Sequence, residues 1–172
     1  MKKVAVIFAF GMEEIEAITP VDVLRRGGAE VNTIAVGGEY VIGSHGIKIF
    51  ADKTVEETNF DIYDGIIIPG GMPGATNIAC NKKVVCALKD FIEKGKVVGA
   101  ICASPALVLG ANGLIKDKKA TCYPMEDFIK VIENSYTGSE VEIDGNLVTA
   151  NGPKSALKFA NALCEKLNLP KL

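Results

Sequence analysis

An α/β fold, with a mostly parallel sheet covered by helices on both faces, is predicted by three observations. Short continuous apolar runs at Val4 to Phe10, Gly65 to Ile68 and Val97 to Ile101 lack the polar alternation of a solvent-facing strand. Stretches of helical periodicity separate them, the alternation that builds βαβ units. Glycine or Pro-Gly-Gly then ends the first two runs, and a Cys-Ala-Ser-Pro corner ends the third. The chain has 172 residues, 48% of them hydrophobic, which fits one domain spanning 1–172. A domain of that length buries about 70% of its unfolded surface and needs no disulfide.

The elements follow in order. Val4 to Phe10 is the first strand, stopped by Gly11. A helix from about Glu13 to Arg26 places Ile15, Ile18, Val21 or Asp22, and Leu24 at helical spacing and closes on Gly27-Gly28. Pro20 either kinks this helix or restarts it with Thr19 as N-cap. Glu30 to Val36 completes a right-handed βαβ unit. The Gly-rich stretch Gly37 to Asp52 holds Tyr40 to Ile42 and Ile47 to Phe50, a hairpin or small edge strands around Ser44-His45-Gly46. Gly65 to Ile68 is a buried strand. A short helix spans Ala75 to Ala79, and Asn81 caps a longer one through Glu93 with Val84, Val85, Leu88, Phe91 and Ile92 inward. After Val97 to Ile101, a helix opens at Pro105 and closes at Gly110 to Gly113. Lys119 to Cys122 reads as a strand and Met125 to Ile132 as a helix. Glu140 to Ile143 pairs with Leu147 to Thr149 across Asp144-Gly145-Asn146. The last helix runs from Pro153 to about Leu167.

Composition excludes several function classes. The formal net charge of -2 is spread along the chain and Trp is absent, so neither a basic face nor a stacking platform invites nucleic acid. Five cysteines without C-x-x-C spacing and a single His leave no metal pattern, and no cofactor is expected. No stretch is long enough to span a membrane, and Met1-Lys2-Lys3 with the short apolar run after it reads as a first strand rather than a secretory signal. Reduced thiols suit a cytoplasmic setting.

Cys102 stands at a strand-to-helix corner, with Pro105 suited to the first helical turn. Free N–H groups and the positive end of a helix dipole favour a thiolate there. The alternative is one more small core residue, since free Cys is often buried. In parallel α/β sheets ligands bind beyond the carboxyl ends of the strands. Gly11 to Glu16, Gly70-Gly71 and Cys102 all follow such ends, so three segments converge on one edge. Gly70 and Gly71 lack Cβ and can bring backbone N–H groups close to a ligand.

Four motifs in this order carry a resemblance. Gly11-Met12-Glu13-Glu14-Ile15-Glu16, Pro20-Val21-Asp22-Val23-Leu24-Arg25-Arg26, Pro69-Gly70-Gly71-Met72-Pro73-Gly74-Ala75 and Ala100-Ile101-Cys102-Ala103-Ser104-Pro105 resemble the ThiJ/PfpI superfamily, in its protein-deglycase branch. The similarity runs from end to end and includes Gly152-Pro153. It implies a flavodoxin-like three-layer sandwich, a homodimer, a nucleophilic Cys102, and a protonated Glu16 donating to its sulfur. It further implies that the N–H groups of Gly71 and Ala103 form an oxyanion or sulfinate site. The activities implied are glutathione-independent conversion of methylglyoxal to lactate, deglycation of early glycation adducts, and oxidation-sensitive chaperoning, with small carbonyl compounds or glycated proteins as partners.

The pairing has a physical reading of its own. Two acidic groups in a desolvated cleft share one proton, and a charge on sulfur leaves Glu16 neutral. Glu13 and Glu14 fit solvated first-turn carboxylates better than Glu16 does. Tyr123 stands where the deglycase branch often has His, and a phenol is a poor base at neutral pH. Ala103 replaces the His of the protease-like branch, which argues against proteolysis. His45 falls where the resemblance puts a basic residue lying across the dimer interface near the thiol. Ile15 and the Arg25-Arg26 region are implied dimer contacts, whereas helical spacing alone puts Ile15 in the core. Cys86 and Cys164 read as packing residues, and Cys80 and Cys122 as secondary thiols.

Overall fold

A computed structural model describes residues 1–172. Its strands are β1 (Lys3–Phe8), β2 (Glu30–Ala35), β3 (Tyr40–Ile42), β4 (Lys48–Phe50), β5 (Lys53–Thr54), β6 (Gly65–Ile68), β7 (Val97–Ile101), β8 (Val141–Asp144) and β9 (Leu147–Ala150). Its α-helices are α1 (Glu14–Arg26), α2 (Gly74–Cys80), α3 (Lys82–Glu93), α4 (Glu126–Val131) and α5 (Ala156–Lys166). A wide-turned π-helical segment covers Pro105–Gly110.

Seven strands form one sheet in the order β5-β2-β1-β6-β7-β9-β8, parallel except for β8, which runs antiparallel to β9. This is the flavodoxin-like arrangement. Alternate residues of β1 feed the two faces. Val4, Val6 and Phe8 pack with α1 and α5, whereas Ala5 and Ile7 pack with α2, α3 and the π-helical segment. Strand order reverses between β1 and β6, which opens a crevice at their carboxyl ends, where such sheets place ligands.

Several sequence expectations need correction. β1 ends at Phe8, and Phe10 is exposed, because the chain must turn at Ala9 to let Met12 donate back to the Ala9 carbonyl. Pro20 does not restart α1; it sits buried inside one continuous helix, and Thr19 is no N-cap. The buried face of that helix is Ala17, Pro20, Val21, Val23 and Leu24, while Ile15 is 55% and Ile18 38% exposed. Lys119 to Cys122 is not a strand: a single bridge joins Ala120 to Tyr136, and Thr121 donates instead to the Thr149 hydroxyl. Cys86 is exposed rather than packed, and Cys122 is fully buried. β3 and β4 do form an antiparallel hairpin separate from the main sheet. That hairpin is tied to the loop after β1 by Gly11 N–H to the Ile42 carbonyl and Ser44 N–H to the Met12 carbonyl, both 2.8 Å.

Candidate active site

Cys102 is the first residue after β7. Its N–H continues the ladder by donating to the Ala150 carbonyl, and its carbonyl accepts from Tyr123 N–H, each 2.8 Å. Held at both ends, it adopts φ 65, a left-handed conformation that an L-residue with a side chain reaches only under constraint. The strand stops abruptly there. The π-helical segment that begins at Pro105 is the kind of irregular turn often found beside functional groups.

Glu16 comes from the first turn of α1, whose N-cap Glu13 accepts from Glu16 N–H at 2.8 Å. The Glu16 side chain is fully buried. One oxygen, Oε2, accepts from Gly70 N–H at 2.9 Å; Oε1 is buried without a hydrogen-bond partner, and the carboxyl is electrostatically coupled to the Cys102 thiol. Gly70 is wedged between the two acids. A Cβ there would stand 2.6 Å from Cys102 Cβ and 2.7 Å from Glu16 Oε2, so only glycine lets this peptide lie against both. The N–H groups of Gly71, at φ 85, and of Ala103 lie near the Cys102 sulfur and favour its charged form. The structure thus brings Cys102, Glu16, Gly70, Gly71 and Ala103 together.

Electrostatics couple the two acids. Burial raises Glu16 to about 7, despite the lowering effect of Cys102 and of the Gly70 amide. Burial, together with the charge and hydrogen bonding of Glu16, pushes Cys102 up to about 12, against the pull of the Gly71 and Ala103 amides. Between those values the pair holds one proton and one negative charge. The N–H groups of Gly71 and Ala103 favour a thiolate, but burial and Glu16 outweigh them, and the Gly70 donor favours the carboxylate. The ready thiolate expected from the strand-to-helix corner thus gives way to a sulfur that holds its proton more tightly than a free thiol.

The remaining candidates surround this centre. Tyr123 is 44% exposed, and its ring lies 3.3 Å from where a Cβ on Gly152 would stand. Its phenol makes no hydrogen bond; its contribution to the site is the backbone tie to Cys102. His45 sits in the exposed turn between β3 and β4, with Nδ1 2.7 Å from Glu14 Oε2. Glu14 is no solvated carboxylate: it is 6% exposed and accepts from His45 N–H at 2.8 Å as well. Glu13, Glu14 and His45 bring one potential ligand atom each within 4.8 Å, but these atoms already serve the helix cap and one another. Sequence reasoning missed Ser104, fully buried, whose hydroxyl donates to the Pro69 carbonyl. The position of Ser104, just before a proline at a helix start, is that of an N-cap, and nothing local in the sequence marks a partner 35 residues away.

The model of the DJ-1/PfpI family matches residues 2–166. The chain belongs to the DJ-1/PfpI family. Protein DJ-1 homolog B of Arabidopsis thaliana is 42% identical over 95% of the chain, but over 37% of its own length. The chain likewise spans 39% of DJ-1 homolog A of the same plant. Glutathione-independent glyoxalase DJR-1.2 of Caenorhabditis elegans is 33% identical, covering 92% of this chain and 84% of its own. Among solved structures, oxidized DJ-1 of Toxoplasma gondii superposes with a TM-score of 0.92 at 40% identity, over 97% of this DJ-1/PfpI chain and 91% of that one. None of the helices in this family member is long and apolar enough to cross a membrane.

Proposed function

We propose that this protein is a glutathione-independent glyoxalase or deglycase that uses Cys102 as nucleophile on methylglyoxal and early glycation adducts. The observation that carries the reading is the meeting of Cys102, Glu16 and the amides of Gly71 and Ala103 at one strand end. The Cys102 thiolate adds to the aldehyde carbon of methylglyoxal, and the amides hold the oxyanion that forms. Glu16 supplies the proton that completes the hemithioacetal, then moves a proton from C1 to C2, leaving a lactoyl thioester. Water cleaves that ester and returns the thiol, so the aldehyde is oxidised at the expense of the neighbouring ketone and no outside oxidant is used. A C. elegans relative bears a glyoxalase name, which supports this choice of substrate class. The test is lactate production from methylglyoxal without glutathione. Wild type should form lactate and Cys102→Ser should not; equal rates in both would overturn the reading.

A second reading uses the same sulfur as an oxidation sensor in a stress-responsive chaperone. Tyr123 in place of the branch's usual His favours it, and a related parasite protein has been solved in oxidized form. Peroxide-dependent suppression of a client's aggregation, without lactate turnover, would select it. We also propose a homodimer, because Ile15, Ile18, Ile47 and Phe50 expose apolar surface on α1 and the β3–β4 hairpin. Sedimentation showing a monomer would remove that element.

A further inference from the structure

We propose that Ser104 is a positioning residue for the Cys102 thiol, acting through the Pro69–Gly70 peptide and Glu16. The inference rests on Cys102 and Glu16 being the reactive pair. Ser104 is fully buried and stands where a serine normally caps a helix, yet it makes no bond to the turn that follows. Its hydroxyl donates across the site to the Pro69 carbonyl, which belongs to the loop after β6. The other end of that same peptide unit is Gly70 N–H, which donates to Glu16 Oε2 at 2.9 Å. Glu16 and Cys102 flank that same glycine, since a Cβ on Gly70 would stand 2.7 Å from Glu16 Oε2 and 2.6 Å from Cys102 Cβ, and the two acids shift each other's titration. A chain therefore runs from the Ser104 hydroxyl, through the peptide, to the carboxyl and back to a thiol two residues upstream.

Such a chain has direction. Donation to a carbonyl draws electron density through the peptide and makes its N–H a stronger donor, so the bonds reinforce one another. The bond also fixes the plane of the Pro69–Gly70 peptide, and with it the place of Gly71, next in line, whose N–H favours charge on the sulfur. Without the hydroxyl, the Pro69 oxygen loses its partner in a buried setting and the loop can rotate to seek another. Both donors then weaken: the pair's negative charge becomes harder to form, and the loss of the Gly71 N–H, the donor that favours charge on sulfur, raises the thiol.

The experiment is the pH dependence of iodoacetamide alkylation at Cys102, followed by peptide mass spectrometry so that the other cysteines do not interfere. Ser104→Ala should move the midpoint upward by about half to one pH unit, which is roughly three- to tenfold slower alkylation at pH 7. Ser104→Thr, which keeps the hydroxyl, should restore a wild-type profile. If Ser104→Ala does not fold, Ser104→Gly makes the same comparison. A folded Ala or Gly variant with the wild-type midpoint, or a folded Thr variant that fails to restore it, overturns the proposal. Lactate formation is a separate readout: a shifted profile in a protein that makes no lactate retains Ser104 and rejects the glyoxalase.

Discussion

Glu14 and Glu16 lie two residues apart on the first turn of α1, at 6% and 0% exposure, yet their surroundings drive them in opposite directions. Burial opposes charge on Glu14, but the ring and backbone of His45 outweigh it and hold its carboxyl below the usual range. Glu16 receives one N–H, from Gly70, and rises to about 7. Both are shielded from solvent, but Glu14 lies under an exposed turn whereas Glu16 lies deep in the protein, so depth and donors together decide which carboxyl stays charged. One acid anchors a hairpin while its neighbour keeps a proton to give.

The largest test of this contrast is catalytic. Glu16→Gln keeps the shape and can still donate to sulfur, but it cannot carry a proton between carbons, and lactate formation should fall by about 10²- to 10⁴-fold. Glu14→Gln, away from the reacting atoms, should stay within about threefold of wild type. Equal losses in both would break the comparison.

Next in size is stability against pH. The Glu16 carboxyl is raised in the folded state, so its contribution is fully present below its ordinary value of 4.5 and is lost as pH rises through about 7. The loss is on the order of 3 kcal/mol. Urea unfolding at stepped pH should show that decline in wild type, and Glu16→Gln should flatten it. Glu14 has the opposite sign: its contribution is present above its ordinary value and disappears as pH falls through the lowered one.

A smaller effect separates the glycines that make room for each acid. A Cβ on Gly70 would meet the Ile101 carbonyl at 2.9 Å and Cys102 Cβ at 2.6 Å, and neither can move without disturbing β7. Gly70→Ala should destabilise by about 1–3 kcal/mol through overpacking. At Gly43 the collision is with the Glu14 side chain rather than with backbone, and that side chain can shift by loosening its bonds to His45. Gly43→Ala should therefore lose less in the same thermal melts.

The contrast between the two acids was only half legible in the chain. Apolar runs ending in glycine, or in the Cys-Ala-Ser-Pro corner, place Cys102, Gly71 and Glu16 at one sheet edge, because strand order and helix spacing follow from hydrophobic pattern. Glu14 reads as solvated because its burial comes from a different segment, the turn at Ser44-His45, folding over it. Local periodicity carries no term for such a cover. The same limit applies to Ile15, at helical spacing but facing outward, and to Ser104, whose partner lies 35 residues away.

The smallest expected effect probes that cover. His45 is raised by its bond to Glu14, so the stability it adds is full below its ordinary value of 6.5 and is lost as pH climbs through the folded value. His45→Ala should therefore lower the melting temperature more at pH 5.5 than at pH 9. The backbone N–H of residue 45 still donates to Glu14 Oε1 in the variant, which keeps the loss modest. A drop independent of pH would mean that the ring acts through packing alone, and the account of Glu14 as an acid held charged by its donors would then rest on the backbone.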